Sequence, residues 1–351
     1  VAGTNAGSFA QGDDIVVYTT NPNGVVDSLA LNDTVTLLGL TSGLSGIYNI
    51  PGDFATITGA VDTLNIFGTC DTTWFRLATG TYDEAVEVLE FPRYSAGSPV
   101  IFQSATGDSA DVMWDNTTAQ VTIDLNGADY IWMEDLTIKN SAAGGRNAIR
   151  LSNGADYNKV MNSHIIGVSI NSTSNLYPVI NNASGLDVYN EIVGNRVVGG
   201  SYGIYSYGVG TTNLEMGNIV SNNTVVDFYY MGLYNYYQDG IHVNGNSVTS
   251  NSVYTSMYGI YNYYCNGPVE YVGNHVYPTE GTDGFYMAMY FSQSLGNDPF
   301  NRDLIANNIL IAGRQGETGT VYGLYMANAD MKNIYHNTCI VLDGGVSARA
   351  V

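Results

Sequence analysis

The stretch 195–205 (NRVVGGSYGIY) decides the fold, because it returns at 223–234 as NTVVDFYYMGLY and at 251–261 as NSVYTSMYGIY. Each copy opens with an Asn and a short apolar run, and closes with a Gly, an aliphatic residue and a Tyr. Looser copies follow, and the repeating residues are Asn195, Asn223, Asn251, Asn274, Asn308 and Asn337. Successive members of this series are 28, 28, 23, 34 and 29 residues apart. A period in this range indicates a solenoid, in which each coil buries its apolar face against its neighbours.

The residues within each copy favour strands. Apolar and polar positions alternate over short runs, β-branched and aromatic residues are frequent, and Gly, Asn, Ser and Thr separate the runs. No sustained helical pattern follows residue 70, which excludes helical repeats. We therefore predict an all-β chain folded as a parallel β-helix solenoid, whose roughly ten coils make a rod on the order of 50 Å long. The repeating Asn is expected in a turn, where its amide can bond the Asn of the next coil.

The amino-acid composition excludes several classes of function. The chain has 351 residues and carries 11 Lys and Arg against 32 Asp and Glu, for a net charge of −21. This balance argues against nucleic acid as a partner and against binding to anionic membranes, and no apolar run is long enough for membrane insertion. Acidic surfaces attract divalent cations, so Ca²⁺ stays open, although we predict no cofactor and no metal site. The three cysteines show no metal-binding spacing.

The chain divides into two parts. Residues 1–50 read as a β segment or linker from a preceding module, and residues 51–351 as the β-helix. A capping helix is predicted at about 53–65, with Asp53 as N-cap and one apolar face formed by Phe54, Ile57, Val61 and Leu64. Such a cap covers the open end of the solenoid core. The final coil is incomplete, so we expect the natural polypeptide to continue.

Several motifs, in a fixed order, carry a resemblance to a known group. They are 46–56 (GIYNIPGDFAT), 60–70 (AVDTLNIFGTC), 78–84 (ATGTYDE), 102–108 (FQSATGD) and 125–131 (LNGADYI). This series resembles a module of large secreted or cell-surface proteins of Bacteroidota, many of which carry a type IX secretion signal. The resemblance implies a right-handed parallel β-helix and an extracellular or cell-surface location. It implies no catalytic residues, and the secretion signal itself is not seen in this sequence.

Catalysis is the open question, because parallel β-helices resemble the folds of polysaccharide-cleaving enzymes. A lyase needs a base and usually Ca²⁺ or Arg to neutralise a uronate carboxylate. The basic residues are scattered, and only Lys139, Arg146 and Arg150 lie near carboxylates in the sequence. We therefore predict a non-catalytic segment of a surface or filament-forming protein. The alternative is a polysaccharide lyase or glycoside hydrolase that acts on acidic glycans.

The 28 tyrosines are the strongest indication of a binding surface. If Ile204, Leu233, Ile260, Phe285 and Leu324 point inward, the Tyr that follows each of them points outward. The predicted outward residues are Tyr205, Tyr207, Tyr234, Tyr236, Tyr261, Tyr263, Tyr286 and Tyr325. One interpretation is that stacked Tyr only stabilise the sheet. The other is a flat aromatic strip that serves adhesion by binding a glycan or another cell-surface protein, or that lets chains self-assemble.

Glycosylation is a further hypothesis. Short Asp-Ser/Thr-aliphatic patterns match the sites that Bacteroidota O-glycosylate. The two in the clearest turn context place the modification on Thr34 and Ser109.

Overall fold

Short runs rich in β-branched residues form the strands, and the turns between them make the chain coil. The computed structural model describes residues 13–18, 34–40, 43–168, 172–173, 176–181, 184–279, 284–296, 299–314, 317–345 and 347–351. Within them, about ten coils each contribute strands to three stacked parallel sheets. The predicted all-β parallel β-helix is therefore confirmed.

The three sheets, named A, B and C here, follow one another around each coil. The strands of sheet A are Leu44–Ile50, Thr69–Leu77, Val100–Ser104, Ile131–Glu134, Lys159–Met161, Glu191–Val193, Ile219–Ser221, His242–Asn244, Glu270–Val272, Asp303–Ala306 and Lys332–Tyr335. The strands of sheet B are Gly80–Asp83, Val112–Asp115, Thr137–Lys139, His164–Ile166, Arg196–Val198, Thr224–Val226, Ser247–Ser250, His275–Pro278, Ile309–Ala312 and Thr338–Val341. The strands of sheet C are Val86–Leu89, Val121–Asn126, Asn147–Ser152, Tyr177–Asn181, Tyr202–Tyr207, Glu215–Met216, Met231–Asp239, Ser256–Asn266, Phe285–Ser292 and Thr320–Ala327.

The core is a set of columns that run along the solenoid axis. In sheet C the residues Ile204, Leu233, Ile260, Met289 and Leu324 occupy one register position and are at most 1% exposed. Each coil covers the apolar side chains of the coil below it, which is the arrangement that a solenoid needs. Neighbours of these residues in the strand point outward, so the core column fixes which side chains form the outer face.

A helix covers the first coil, but it begins later than predicted. It spans Ile57–Phe67, and Thr56 is its N-cap, because Thr56 Oγ1 accepts a hydrogen bond from the Gly59 N–H (3.0 Å). Asp53 is not the cap, since its carboxylate accepts from the backbone N–H of Asn49 (2.7 Å). The carboxylate therefore closes a turn ahead of the helix, which leaves the next hydroxyl residue to start it.

The solenoid also begins earlier than the predicted boundary at residue 51. Leu44–Ile50 pairs in parallel with Thr69–Leu77 and is the first strand of sheet A. Upstream of it, Asp13–Tyr18 and Thr34–Leu40 form an antiparallel pair outside the three sheets. Thr34, a predicted glycosylation site, begins the second of these strands, and Asp33 before it lies outside the described residues.

Buried Asn side chains line the turn between sheets A and B, where each amide joins two coils. Asn223 Nδ2 donates to the Ile192 carbonyl of the preceding coil (2.8 Å) and to Asn246 Oδ1 of the next (3.1 Å). Asn223 Oδ1 accepts from the backbone N–H of Asn195 (2.9 Å) and from Asn195 Nδ2 (3.1 Å). The members of this asparagine ladder are Asn195, Asn223, Asn246, Asn274, Asn308 and Asn337.

Asn251, predicted as a member, is exposed and lies outside the ladder. Both Asn246 and Asn251 open an Asn-Ser-Val run, and equal spacing from Asn223 favoured the wrong one. The structure pairs Val248 with Val225 in the core and leaves Val253 70% exposed. The coil is therefore 23 residues long rather than 28.

Two fully buried carboxyl groups lie near the turn between sheets C and A. Asp187 Oδ1 accepts from the N–H groups of Gly154 and Ala155, each at 2.8 Å. Glu215 Oε2 accepts from Gln238 Nε2 (2.9 Å). Burial is the largest cause that raises the pKa of Asp187 to about 6 and the pKa of Glu215 to about 9. The folded state therefore favours the protonated forms.

We expect the protein to lose stability between about pH 5 and about pH 9. A carboxyl whose pKa is raised by folding stabilises the native state fully below its unfolded value, and this contribution is lost as pH rises through the folded value. The loss is about 1.4 kcal/mol per pH unit for each proton that the native state retains. Melting temperatures measured across this range should fall less steeply in Glu215→Gln than in wild type. The control is Glu270→Gln, at an exposed carboxylate; parallel profiles for Glu215→Gln and wild type would contradict the account.

Candidate functional site

Tyrosines form three adjacent columns on the outer face of sheet C, here called the tyrosine face. The middle column consists of Tyr205, Tyr234, Tyr261, Tyr290 and Tyr325. On one side lies a column of Tyr207, Tyr236 and Tyr263. On the other side, Tyr202, Tyr258 and Tyr322 alternate with Met231 and Met287. The sequence pattern did not predict this last column, because its members lie three residues before the middle Tyr rather than two.

The rings of the middle column stack on one another. The centroids of Tyr205 and Tyr234 are 4.8 Å apart with ring planes at 7°, and those of Tyr234 and Tyr261 are 5.0 Å apart at 17°. Because each ring covers the faces of its neighbours, Tyr205 is only 8% exposed. A ligand therefore meets ring edges and hydroxyl groups. The predicted flat strip, on which sugars would stack against ring faces, does not fit this geometry.

Tyr286 was predicted to face outward, and this prediction is wrong. Tyr286 is 1% exposed and belongs to the core, whereas Phe285 contacts the outward rings of Tyr258 and Tyr322. The segment that corresponds to 259–261 (GIY) is 288–290 (AMY), so Tyr290 takes the outward position. Because Ala stands there in place of the repeating Gly, the Gly-aromatic-Tyr segment 284–286 matches the repeat pattern instead.

Burial keeps the most deeply buried hydroxyl groups of the tyrosine face protonated. Burial raises the pKa of Tyr202 and of Tyr258 to about 12, and raises the pKa values of Tyr205 and Tyr234 further. A neutral phenol can donate a hydrogen bond to a ligand and accept one. The columns therefore repeat a hydrogen-bonding group about every 4.8 Å along the rod.

Truncating a stacked ring should destabilise the protein, although the tyrosines lie outside the core. We expect Tyr234→Ala to lower the free energy of unfolding by about 2–3 kcal/mol, because four ring contacts and buried area are lost. Tyr234→Phe, which keeps the ring, is the matched control and should change it by less than about 0.5 kcal/mol. Denaturant titration measures both, and equal effects of the two substitutions would contradict the stacking argument.

Charged residues replace tyrosine toward the N-terminal coils. In the middle column, Tyr205 is preceded by Ile180, Arg150, Asp124 and Glu87, one residue per coil. A cleft of about 230 Å³ opens at this junction. This arginine cleft is lined by Gln120, Val121, Arg146, Asn147, Arg150, Tyr177, Ile180 and Tyr207. Tyr177 and Tyr207 both contact the ring of Tyr205, so the cleft is continuous with the tyrosine face.

The cleft has a locally positive balance in a chain of net charge −21. Arg150 Nε donates to Asp124 Oδ1 (2.8 Å) and Arg150 Nη2 donates to the second carboxylate oxygen. This pair raises the pKa of Arg150, which stays cationic. Arg146 is exposed, and within the described part of the chain it forms no ion pair. The described residues that line the cleft thus include two guanidinium groups and no carboxylate, while Asp124 and Glu87 act on Arg150 from the preceding coils. Arg146, without an ion-pair partner among the described residues, favours an anionic ligand.

Tyr177 gives the cleft a group that holds a proton. It is 9% exposed, and burial raises its pKa, while the nearby Arg146 acts in the opposite direction. Its carbonyl accepts from Asn147 Nδ2 (3.0 Å), which fixes the strand beside the cleft. At neutral pH the phenol is therefore a proton donor.

Other predicted residues lie elsewhere. Lys139 is on sheet B, where its Nζ is 3.8 Å from Asp115, so it does not share a site with Arg150. Ser109 lies half-buried in the turn before sheet B, and its carbonyl accepts from Thr137 Oγ1 (2.7 Å). Glycosylation at Ser109 and Thr34 stays a prediction.

Two kinds of feature are absent from the described residues. No group of three or more His, Cys, Asp and Glu side chains there is arranged to hold a metal ion. In the same residues, no helix has the length and apolar character that crossing a membrane requires.

Comparison with known proteins adds fold relatives. No protein-family model matches the sequence, and no curated protein matches it. Among solved structures, the chain is similar to pectate lyase Pel9A, with 10% identity and a TM-score of 0.51 over 84% of this chain and 80% of that one. Matches with a TM-score of 0.39 include a mannuronic acid specific family 6 lyase from human gut microbiota (13% identity; 84% and 83% covered) and the Azotobacter vinelandii mannuronan C-5 epimerase AlgE4 A-module (12% identity; 87% and 94% covered).

The similarity to pectate lyase Pel9A contradicts one prediction. The interpretation of the chain as non-catalytic is wrong, because the structure that it resembles over four fifths of both chains is a pectate lyase. The sequence argument rested on the scattered order of the basic residues. That order did not show that the coils bring Arg146 and Arg150 beside Tyr177 and Tyr207 of the next two coils. The likeness itself establishes the shared β-helix fold.

Proposed function

We propose that this protein is an enzyme that cleaves an acidic polysaccharide by β-elimination in the arginine cleft. The observation that carries the proposal is the cleft itself, with Arg146 and Arg150 beside two phenols at the end of a long tyrosine face. The similarity to pectate lyase Pel9A supports a lyase on this fold. A uronate carboxylate matches in charge the guanidinium of Arg146, which pairs with no described carboxylate, and the donors of Arg150 that Asp124 leaves free.

The tyrosine face supports binding of the polymer beyond the cleft. Its hydroxyl groups recur from coil to coil, and an extended glycan presents hydroxyl groups along its length. Each contact is weak, but several formed together raise the affinity through their high effective concentration. In this role Tyr205, Tyr234, Tyr261, Tyr290 and Tyr325 hydrogen-bond the sugar from their edges.

The chemistry assigns roles to four side chains. Arg146 and Arg150 bind the carboxylate and stabilise the negative charge that develops when the proton on the adjacent carbon is removed. A hydroxide ion from solvent, held by a hydrogen bond from the Tyr207 hydroxyl group, takes that proton and becomes water. The electron pair of the broken C–H bond forms the new C=C bond, and the C–O bond to the next sugar breaks. Tyr177 donates its proton to the leaving oxygen, which balances the step.

The net charge of −21 repels an acidic polymer at long range, whereas the cleft attracts it at short range. Salt screens the long-range repulsion more than the short-range attraction, because the Debye length is about 10 Å at 0.1 M.

We place the enzyme outside the cell, where its acidic, Tyr-rich surface is suited to carbohydrate. The sequence resemblance to secreted Bacteroidota modules supports this location, and the bacterial origin is part of the proposal.

The test is incubation of the purified chain with a polyuronate and with a neutral glucan. The expected result is shortening of the polyuronate alone, with ultraviolet-absorbing unsaturated ends that only elimination produces. Shortening without unsaturated ends would replace the lyase by a hydrolase. Intact polyuronate after incubation with the folded protein, with and without Ca²⁺, would overturn the proposed function.

A further inference from the structure

A second group of aromatic and charged side chains lies on the outer face of sheet A, away from the arginine cleft. Trp74, Ile101, Trp132 and Lys159 occupy one register position in four successive coils. In the neighbouring column lie Arg76, Gln103 and Glu134. We call Trp74, Arg76, Trp132, Glu134 and Lys159 the tryptophan patch. Its two indoles are separated by two coils, roughly 10 Å.

Each indole of the patch carries a cation on its ring. The guanidinium carbon of Arg76 is 4.6 Å from the centroid of Trp74, and Lys159 Nζ is 5.1 Å from the centroid of Trp132. Both Trp side chains remain partly exposed, in contrast to Trp114, which is 1% exposed. A cation held over an exposed indole gains about 0.5–1 kcal/mol. Lys159 Nζ also pairs with Glu191 Oε1 (3.0 Å), whereas Arg76 forms no ion pair among the described residues, so Arg76 is the cation that an incoming anion can draw away.

The space between the two cations holds a half-buried carboxyl. Burial, and secondarily Asp135, raise the pKa of Glu134, while Arg76 and Lys159 act to lower it. Trp132 Nε1 and Gln103 Oε1 are buried without a hydrogen-bond partner among the described residues. Buried polar atoms left unpaired cost stability. Their presence just beneath this outer face indicates that a bound ligand supplies the missing hydrogen bonds.

We propose that the tryptophan patch is a second saccharide-binding site, which takes an anionic sugar residue of a short oligosaccharide. On binding, the sugar's carboxylate draws Arg76 off the Trp74 indole, and the C–H face of the sugar ring takes the place of the cation. The indole then contacts the C–H face of the sugar ring, and the cation contacts the sugar's carboxylate. A neutral sugar supplies only the C–H face and has to displace the cation without compensation.

This site is independent of the proposed elimination chemistry. It lies on sheet A, whereas the arginine cleft and the tyrosine face belong to sheet C. An acidic polymer could therefore be held at the patch whether or not it is cleaved elsewhere. The patch and the cleft are also told apart by their chromophores, because the residues that line the cleft include no Trp.

Fluorescence excited selectively at tryptophan, and not at tyrosine, reports binding at the tryptophan patch. The chain has three Trp, and the third, Trp114, is buried with its Nε1 bonded to the Glu84 carbonyl (3.0 Å). Titration with oligogalacturonate should change the emission of wild type and reduce quenching by acrylamide. The fully methyl-esterified oligosaccharide should bind at least about tenfold more weakly, as expected when a charge-assisted contact is lost. Trp74→Phe/Trp132→Phe, which leaves Trp114 alone, should show no response.

Charge variants test the mechanism. Arg76→Gln should weaken binding about tenfold, whereas Glu134→Gln, which removes a negative charge beside the site, should strengthen it. Arg146→Gln, in the cleft, should leave the fluorescence titration unchanged. The inference is overturned if wild type shows no response, if the ester binds as tightly as the acid, or if Arg146→Gln abolishes the signal. None of these results bears on whether the cleft produces unsaturated sugars.

Discussion

Asn223→Leu is expected to lower the free energy of unfolding by about 4 kcal/mol. The substitution removes the acceptor of two hydrogen bonds from Asn195 and the donor to the Ile192 carbonyl, all within a buried turn. Each buried polar group left unpaired costs about 1–3 kcal/mol, and the apolar side chain gives none of them a new partner. Denaturant unfolding followed by far-ultraviolet circular dichroism measures the loss.

The matched control for this prediction is Asn251→Leu. Asn251 has the same residue type and the same local Asn-Ser-Val pattern as Asn246, but it is exposed and stands outside the ladder. Its replacement should change stability by no more than about 0.5 kcal/mol. Similar losses at Asn223 and Asn251 would mean that the ladder does not hold the coils together in the way described.

Arg146→Glu should reduce kcat/KM on a polyuronate by about 10³-fold. The substitution removes one of the two guanidinium groups of the cleft and places a carboxylate against the substrate carboxylate. Loss of a group that stabilises charge in the transition state costs about 10²–10³ in rate, and repulsion adds to it. Because Arg146 is exposed, the fold should tolerate the change, which melting temperature can verify.

Lys139→Gln is the control for Arg146→Glu. Lys139 is a basic residue near Arg150 in the sequence, but it lies on sheet B, 3.8 Å from Asp115. Its loss should leave the rate on polyuronate within about twofold of wild type, since exposed ion pairs contribute little. Equal losses in the two variants would point to a general effect of net charge and would contradict the assignment of the cleft.

The fold could be predicted from the repeat because the spacing of the repeated residues gives the length of a coil and the positions that face inward. The Asn-x-Val run places a buried amide before an inward aliphatic residue, and this pairing recurs at Asn195 and Asn223. Prediction failed where the spacing was ambiguous. Asn251 imitates Asn246, and Tyr286 imitates Tyr290, because coil length varies and side-chain packing across coils selects the register.

The candidate site was harder to predict, since its parts come from separate coils. Arg146, Arg150, Tyr177 and Tyr207 have no shared motif, and only the stacking of three successive strands of sheet C brings them to one cleft. The sequence did indicate the outward Tyr rows. It could not show that the rings cover one another's faces, because ring orientation depends on contacts between coils rather than on residue order.

The most direct test of the central claim is the initial rate of cleavage on a polyuronate at increasing degrees of methyl esterification. If the arginine cleft recognises carboxylates, the wild-type rate should fall steadily as free carboxylates are esterified, and the slope should flatten in Arg146→Gln. A wild-type rate that is equal on the acidic and the fully esterified polymer, or that is absent on every one of them, would contradict the account.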